Sequence, residues 1–163
     1  MEKIISALKI FYSLVEEYNQ NNPEKIFWIL SWSVGLAIQG VDLIPSEDID
    51  IITNKIWTEK LDKLLSKYVV KKSEYSSTDK YRSFFWIYEI EWIQVEVMWE
   101  FQYRLSDWWW SKENQINKIM NKKYDWMNLP MLELEQELKE YENMWRIEKA
   151  EKIREKLNSS RGE

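Results

Sequence analysis

A backbone that must reverse direction needs residues free to take positive φ, and this chain has almost none. It has Gly 3 in 163 residues, where average usage would supply roughly eleven. Tryptophan, at 11, is in excess by about as many. Several of these tryptophans stand where turn chemistry asks for glycine. Glu91-Trp92 and Asp125-Trp126 each separate two β-like runs, the place where Asn-Gly or Asp-Gly closes a hairpin, and an indole-bearing residue does not readily supply that φ. The pattern is the one produced when UGA codons that a bacterial lineage reads as glycine are translated as tryptophan. On that reading Trp32, Trp57, Trp86, Trp92, Trp99, Trp108, Trp126 and Trp145 are glycine positions, whereas Trp28, Trp109 and Trp110 are tryptophans. The alternative is a core rich in tryptophan, since most such residues serve packing.

The length suits one domain over residues 1–163, and 45% hydrophobic with 31% charged content is ordinary for a globular chain. No apolar run approaches the ~20 residues of a membrane span, and the first twenty residues lack a signal-peptide core, so a cytoplasmic protein is expected. Cys 0 and His 0 remove thiol nucleophiles, disulfides, histidine bases and the usual zinc sites together. Catalysis must then run on carboxylates, hydroxyls, Lys or Arg, with a hard metal. The net charge of −5 favours a small substrate or a protein partner over a broad nucleic-acid footprint.

Apolar residues Ile4, Ile5, Leu8, Phe11, Leu14 and Val15 recur at helical spacing, which predicts an amphipathic helix over 3–18, stopped by Asn21-Asn22-Pro23. A buried strand is expected over Ile26 to Leu30, a short helix from Ser33 to Gln39 leading into Gly40, and a strand from Asp48 to Thr53. A helix over 57–67 places Leu61, Leu64 and Leu65 on one face. Strands follow at Tyr68 to Lys72, Tyr81 to Ile90 and Ile93 to Met98, the last two a hairpin about Glu91-Trp92. A second β pair, Ile116 to Tyr124 and Met127 to Leu132, turns at Asp125-Trp126, with Pro130 tolerable only on an edge strand. Two helical stretches, joined near Met144-Trp145, fill about 133–157, with glycine at 145 making a left-handed cap and a frayed SSRGE end. Strand, helix, strand, helix is the start of a mixed α/β layer.

On the strand Asp48-Ile49-Asp50-Ile51, successive side chains alternate, so the two carboxylates share one face while the isoleucines enter the core. Such a pair repels itself unless a cation joins it, and divalent ions such as Mg²⁺ prefer oxygen donors of this kind. Glu96, alternating with Val95 and Val97, adds a third carboxylate if its strand is a neighbour. Each acid alone is more often a solvated strand position; the chemistry rests on the set.

The segment WILSWSVGLAIQGVDLIPSEDIDIITNK resembles the signature of the minimal nucleotidyltransferases of the polymerase-β type. There a strand leads into Gly-Ser or Gly-Gly, a short helix, and a strand bearing Asp-x-Asp. Ser76-Ser77-Thr78 with Arg82, the Val95 to Trp99 strand end, Arg104 to Trp108, and Arg146-Ile147-Glu148-Lys149-Ala150 resemble further blocks of small stand-alone members. The resemblance implies an α/β (α+β) fold: a mixed β-sheet nucleotidyltransferase core flanked by helices, with a C-terminal helical segment. It implies that Asp48, Asp50 and Glu96 are catalytic and bind Mg²⁺ or Mn²⁺, and that Trp32, on the motif's glycine, and Ser33 meet the phosphates of an NTP, ATP being expected. Arg82 and Lys55 are candidate phosphate contacts, although either is commonly a surface residue. The implied activity is transfer of NMP to a hydroxyl acceptor such as an aminoglycoside, or on a macromolecule. The alternatives are a catalytically inactive binding module or antitoxin of a toxin pair, with Trp108-Trp109-Trp110 as its apolar patch, and a degenerate domain.

Overall fold

The computed structural model describes residues 1–113, 116 and 118–161. The chain begins with helix α1 (Glu2–Asn21), whose Ile4, Ala7, Leu8, Phe11, Tyr12 and Val15 face inward at the expected period. Strand β1 (Ile29–Ser31), helix α2 (Trp32–Ile38), strand β2 (Asp48–Ile52) and helix α3 (Lys55–Leu65) follow. A 3₁₀ turn leads into β3 (Val69–Ser77), β4 (Tyr81–Ile90) and β5 (Ile93–Tyr103). The hairpin β6 (Ile119–Tyr124) and β7 (Met127–Leu132) then precedes α4 (Leu134–Asn143) and α5 (Ile147–Arg161). Among the described residues the strands form one mixed sheet in the order β3-β4-β5-β2-β1-β7-β6. The β2/β5 and β1/β7 pairs are parallel and the others antiparallel.

The sheet has two covered faces. Leu30, Ile49, Ile51, Val95 and Val97 join α1 and α3 in one cluster, while Met98, Phe101 and Tyr103 join α4 and α5 in another. Each fully buried large aliphatic or aromatic side chain contributes about 1.5–3 kcal/mol, so the α1 face supplies most of the cohesion. Strand parity assigns Asp48, Asp50 and Glu96 to the face opposite Ile49 and Ile51. A bulge at Glu100 (φ 54°), opposite the register shift between Arg82 and Phe84, adds one residue and returns Phe101 and Tyr103 to the side of Met98.

Several boundaries differ from expectation. Ile26 and Trp28 are buried, but only Ile29–Ser31 forms the strand, pairing with β2 at three positions up to the β2 end at Ile52 and with β7 at Leu30↔Met131. Strands β3 and β5 run longer than the sequence suggests, through polar residues whose backbones the long β3-β4-β5 meander pairs. Pro130 is not on an edge: β7 lies between β1 and β6, and Pro130 pairs with Asn121. The shortness of β1 explains this, since the ladder on that side is bridged at Met131 and Pro130 has no N–H to leave unpaired. Residue 117 of the strand expected over 116–124 lies outside the described residues, as do 162–163; α5 stays helical through Ser159 and Ser160 instead of fraying there. Among the described residues, no helix is long and apolar enough to cross a membrane.

Candidate active site

Parallel pairing of β2 with β5 sets Asp48 beside Gln94 and Asp50 directly beside Glu96. The three carboxylates therefore occupy one patch of the face beneath the C-terminal helices, as the alternating pattern predicts. Asp50 is only 7% exposed. Burial first, then the charges of Asp48 and Glu96, pushes its carboxyl well above the usual carboxylate range, against the opposing pull of Lys149 and Arg146. Glu96 is also raised, chiefly by burial, although Gln94 Nε2 donates to its Oε1 at 2.6 Å and so favours the charged form.

Among the described residues, no three Asp, Glu, His or Cys side chains are drawn together closely enough to hold a metal ion as they stand. The donor set nonetheless fits a hard divalent cation. Asp48 Oδ1 is buried without a hydrogen-bond partner among the described residues, and Asp50 is short of positive charge. Mg²⁺ commonly uses one or two carboxylates and keeps waters elsewhere, so two strand-borne aspartates suffice as an anchor.

Beside Glu96 opens a cleft of about 280 Å³, lined by Trp32, Thr78, Tyr81, Arg82, Phe101 and Arg146 among others. Arg82 is held by a 2.7 Å bond from its Nε to Gln102 Oε1, with its guanidinium over the Trp110 ring. Arg146 reaches the cleft from the α4–α5 turn, where its Nε donates to the Tyr81 hydroxyl at 3.2 Å. Lys149, one turn further on, is half-buried. Burial and the Arg146 charge depress its ammonium, while Asp50 and Asp48 support it. In the sequence Arg146 and Lys149 stand out only through the block Arg146-Ile147-Glu148-Lys149-Ala150; the local signal is two cations three apart at a helix start, which share a face.

Trp32 opens α2 with φ 55° and sets its ring edge-on to Phe101, centroids 5.0 Å apart. Its backbone N–H donates to Glu137, a fully buried α4 carboxyl that burial pushes up to about 8. Glu137 was not foreseen, because a glutamate in a Leu-, Glu- and Lys-rich helix reads as solvent-facing. Ser33 is buried, and its hydroxyl is engaged by Ser46 through both the side chain and a 3.0 Å bond from the Ser46 N–H. It anchors the 40–47 loop to α2. Lys55 starts α3 past the far end of β2, is exposed, and does not line the cleft.

A crystal structure at 1.87 Å of a candidate nucleotidyltransferase from Thermotoga maritima has this architecture. The TM-score is 0.73 at 32% identity, over 95% of this chain and 92% of that one. The fold is that of a nucleotidyltransferase, with the acids on two parallel neighbouring strands. More narrowly, residues 14–159 match the aminoglycoside-2''-adenylyltransferase family, and the chain belongs to that family. No curated protein matches it.

Proposed function

We propose that this chain transfers a nucleoside monophosphate from an NTP, with ATP the expected donor, to a hydroxyl acceptor. The observation that carries the reading is an opposition of charge. Asp48, Asp50 and Glu96 share one sheet face, and Arg146 and Lys149 approach it closely enough to offset the Asp50 charge. Acids hold the cations that accompany a triphosphate, and flanking bases hold its oxygens. Asp48 and Asp50 would bind Mg²⁺ or Mn²⁺, which when bound neutralises charge on the triphosphate and on departing pyrophosphate. Arg82 and Arg146, at the cleft wall, orient the phosphates. Glu96, raised by burial, takes the acceptor's hydroxyl proton. The acceptor oxygen bonds to the α-phosphorus, the α–β phosphoanhydride bond breaks, and its electron pair leaves on pyrophosphate.

Family membership supports an aminoglycoside hydroxyl as acceptor, and the net charge of −5 suits the approach of a polycation. The test is incorporation of label from ATP into a panel of aminoglycosides with Mg²⁺. It is run on the chain, on W32G, which clears the indole from the cleft, and on D50N in both backgrounds. Asp50→Asn is expected to lower transfer by at least about a hundredfold with an unchanged circular-dichroism spectrum. Equal rates with and without Asp50, or no transfer by any of the four, would overturn the assignment.

A further inference from the structure

Among the described residues, seven other than glycine have positive φ, and four of them are tryptophans: Trp32 at 55°, Trp92 at 67°, Trp108 at 68° and Trp145 at 58°. The other three are acidic residues, Glu91, Glu100 and Asp125. Bulky side chains are genuine outliers in this region, and tryptophan supplies only 11 residues of the chain, so its majority here is a feature to explain. All four belong to the set in which sequence context asks for glycine. Trp28, Trp109 and Trp110, which context leaves as tryptophan, are absent from the left-handed group.

Each of three positions is built as a glycine motif. At the end of α4, Arg146 N–H bonds to Tyr141 O at 2.9 Å and Trp145 N–H to Glu142 O at 3.0 Å, the paired bonds of a Schellman cap whose left-handed residue is usually glycine. Glu91 and Trp92 close the two-residue loop between the paired Ile90 and Ile93 with both φ positive, the type I′ turn that favours Asn-Gly or Asp-Gly. At 105–109, Trp108 N–H bonds to Leu105 O at 3.0 Å and Leu105 N–H to Trp109 O at 2.9 Å. That is a turn followed by a left-handed bulge residue, again glycine's place.

Packing follows the same division at most of these positions. Trp92, Trp108 and Trp145 are 87%, 75% and 67% exposed, whereas Trp28 is 4% exposed against Phe11 and Trp110 lies under the guanidinium groups of Arg82 and Arg104; Trp109, at 74% exposed, and Trp32, half-buried against Phe101, do not follow it, so the backbone angle is what divides the two groups. Trp57, Trp86, Trp99 and Trp126 lack the left-handed angle: at the Asp125-Trp126 turn it falls on Asp125 alone, and Trp57, Trp86 and Trp99 pack as partly or fully buried side chains, so the backbone does not ask for glycine at these four.

We propose that the protein, as its own cell makes it, carries glycine at 32, 92, 108 and 145, through UGA codons read as glycine. At 92, 108 and 145 the change relieves turns. At 32 it withdraws an indole from the cleft beside Glu96, Arg82 and Arg146, a consequence that rests on the function proposed above.

The test compares thermal unfolding of the chain with that of W92G, W108G, W145G and, as the opposite case, W28G. The first three are expected to raise Tm by about 2–4 °C each, and W28G to lower it. A fall at 92 and 145 like that of W28G overturns the proposal. Should the unaltered chain not fold, the chain carrying W32G, W92G, W108G and W145G together is expected to fold, and its failure overturns the proposal equally. Peptide mass spectrometry of the protein from its own cells decides directly: glycine at the four positions supports the proposal and tryptophan refutes it. MgATP titration separates the two readings. Binding by W32G but not by the unaltered chain supports the opened cleft. A Tm gain at 92, 108 and 145 with no MgATP binding by W32G removes the nucleotide reading and the open cleft, and leaves the glycine assignment standing.

Discussion

Glu137 is a carboxyl buried to 1% exposure whose Oε2 has no partner among the described residues, and whose pKa stands at about 8 against an ordinary 4.5. Its sign in a stability profile follows from linkage. Below about 4.5 both folded and unfolded chains hold the proton, and the group is neutral in its effect. Between about 4.5 and 8 the unfolded chain ionises while the folded one does not, so stability falls as pH rises; above 8 the loss is complete. Glu137→Gln keeps an acceptor for the Trp32 N–H and removes the titration. The variant is expected to match the parent in denaturant midpoint near pH 4.5 and to gain on it progressively up to about pH 8; a constant gap would count against the buried proton. The acids of the site were legible because a strand has period two: Asp48, Asp50 and Glu96 could be placed on one face without knowing what lay above. Glu137, Arg146 and Lys149 were not, because a helix offers several faces and their partners arrive from distant sequence.

Elements whose signal is strong periodicity came out close to expectation, and those whose ends depend on partners did not. α1 was legible because its apolar positions repeat from Ile4 to Val15, over about three turns; Phe11, fully buried, meets the Trp28 ring at a centroid distance of 5.0 Å. Phe11→Ala is expected to cost about 3–5 kcal/mol of unfolding free energy in a urea titration, and a loss under 1 kcal/mol would deny α1 its place as the main support of the sheet. β1 was misjudged at its start because Ile26 and Trp28 are apolar for packing against α1 and not for strand pairing. Pro130 misled in the other direction: the rule that proline belongs at an edge holds for fully paired neighbours, and β1 is too short to be one. The α4–α5 junction was readable because its left-handed residue has a local hydrogen-bond pattern that no tertiary contact needs to supply.

On the scale of the molecule, the sheet brings the acids together and the C-terminal helices supply the opposite charge. Arg146 and Lys149 are the groups that lower the Asp50 carboxyl against its burial. Lys149→Met, in the W32G background, is expected to weaken MgATP binding by about tenfold, as loss of a charge-assisted contact does; undiminished affinity would place Lys149 outside the triphosphate path. The docking of α5 through Ala150 and Ile153 sets the height of these cations above the sheet, so the site depends on contacts far from either carboxylate. Synthesis runs in the opposite order to that dependence. The ribosome delivers Asp48, Asp50 and Glu96 long before Arg146 and Lys149. A nascent chain whose β2 and β5 have already paired therefore holds a knot of mutually repelling acids, screened only by ions from the surrounding solution, until α5 emerges and settles onto it.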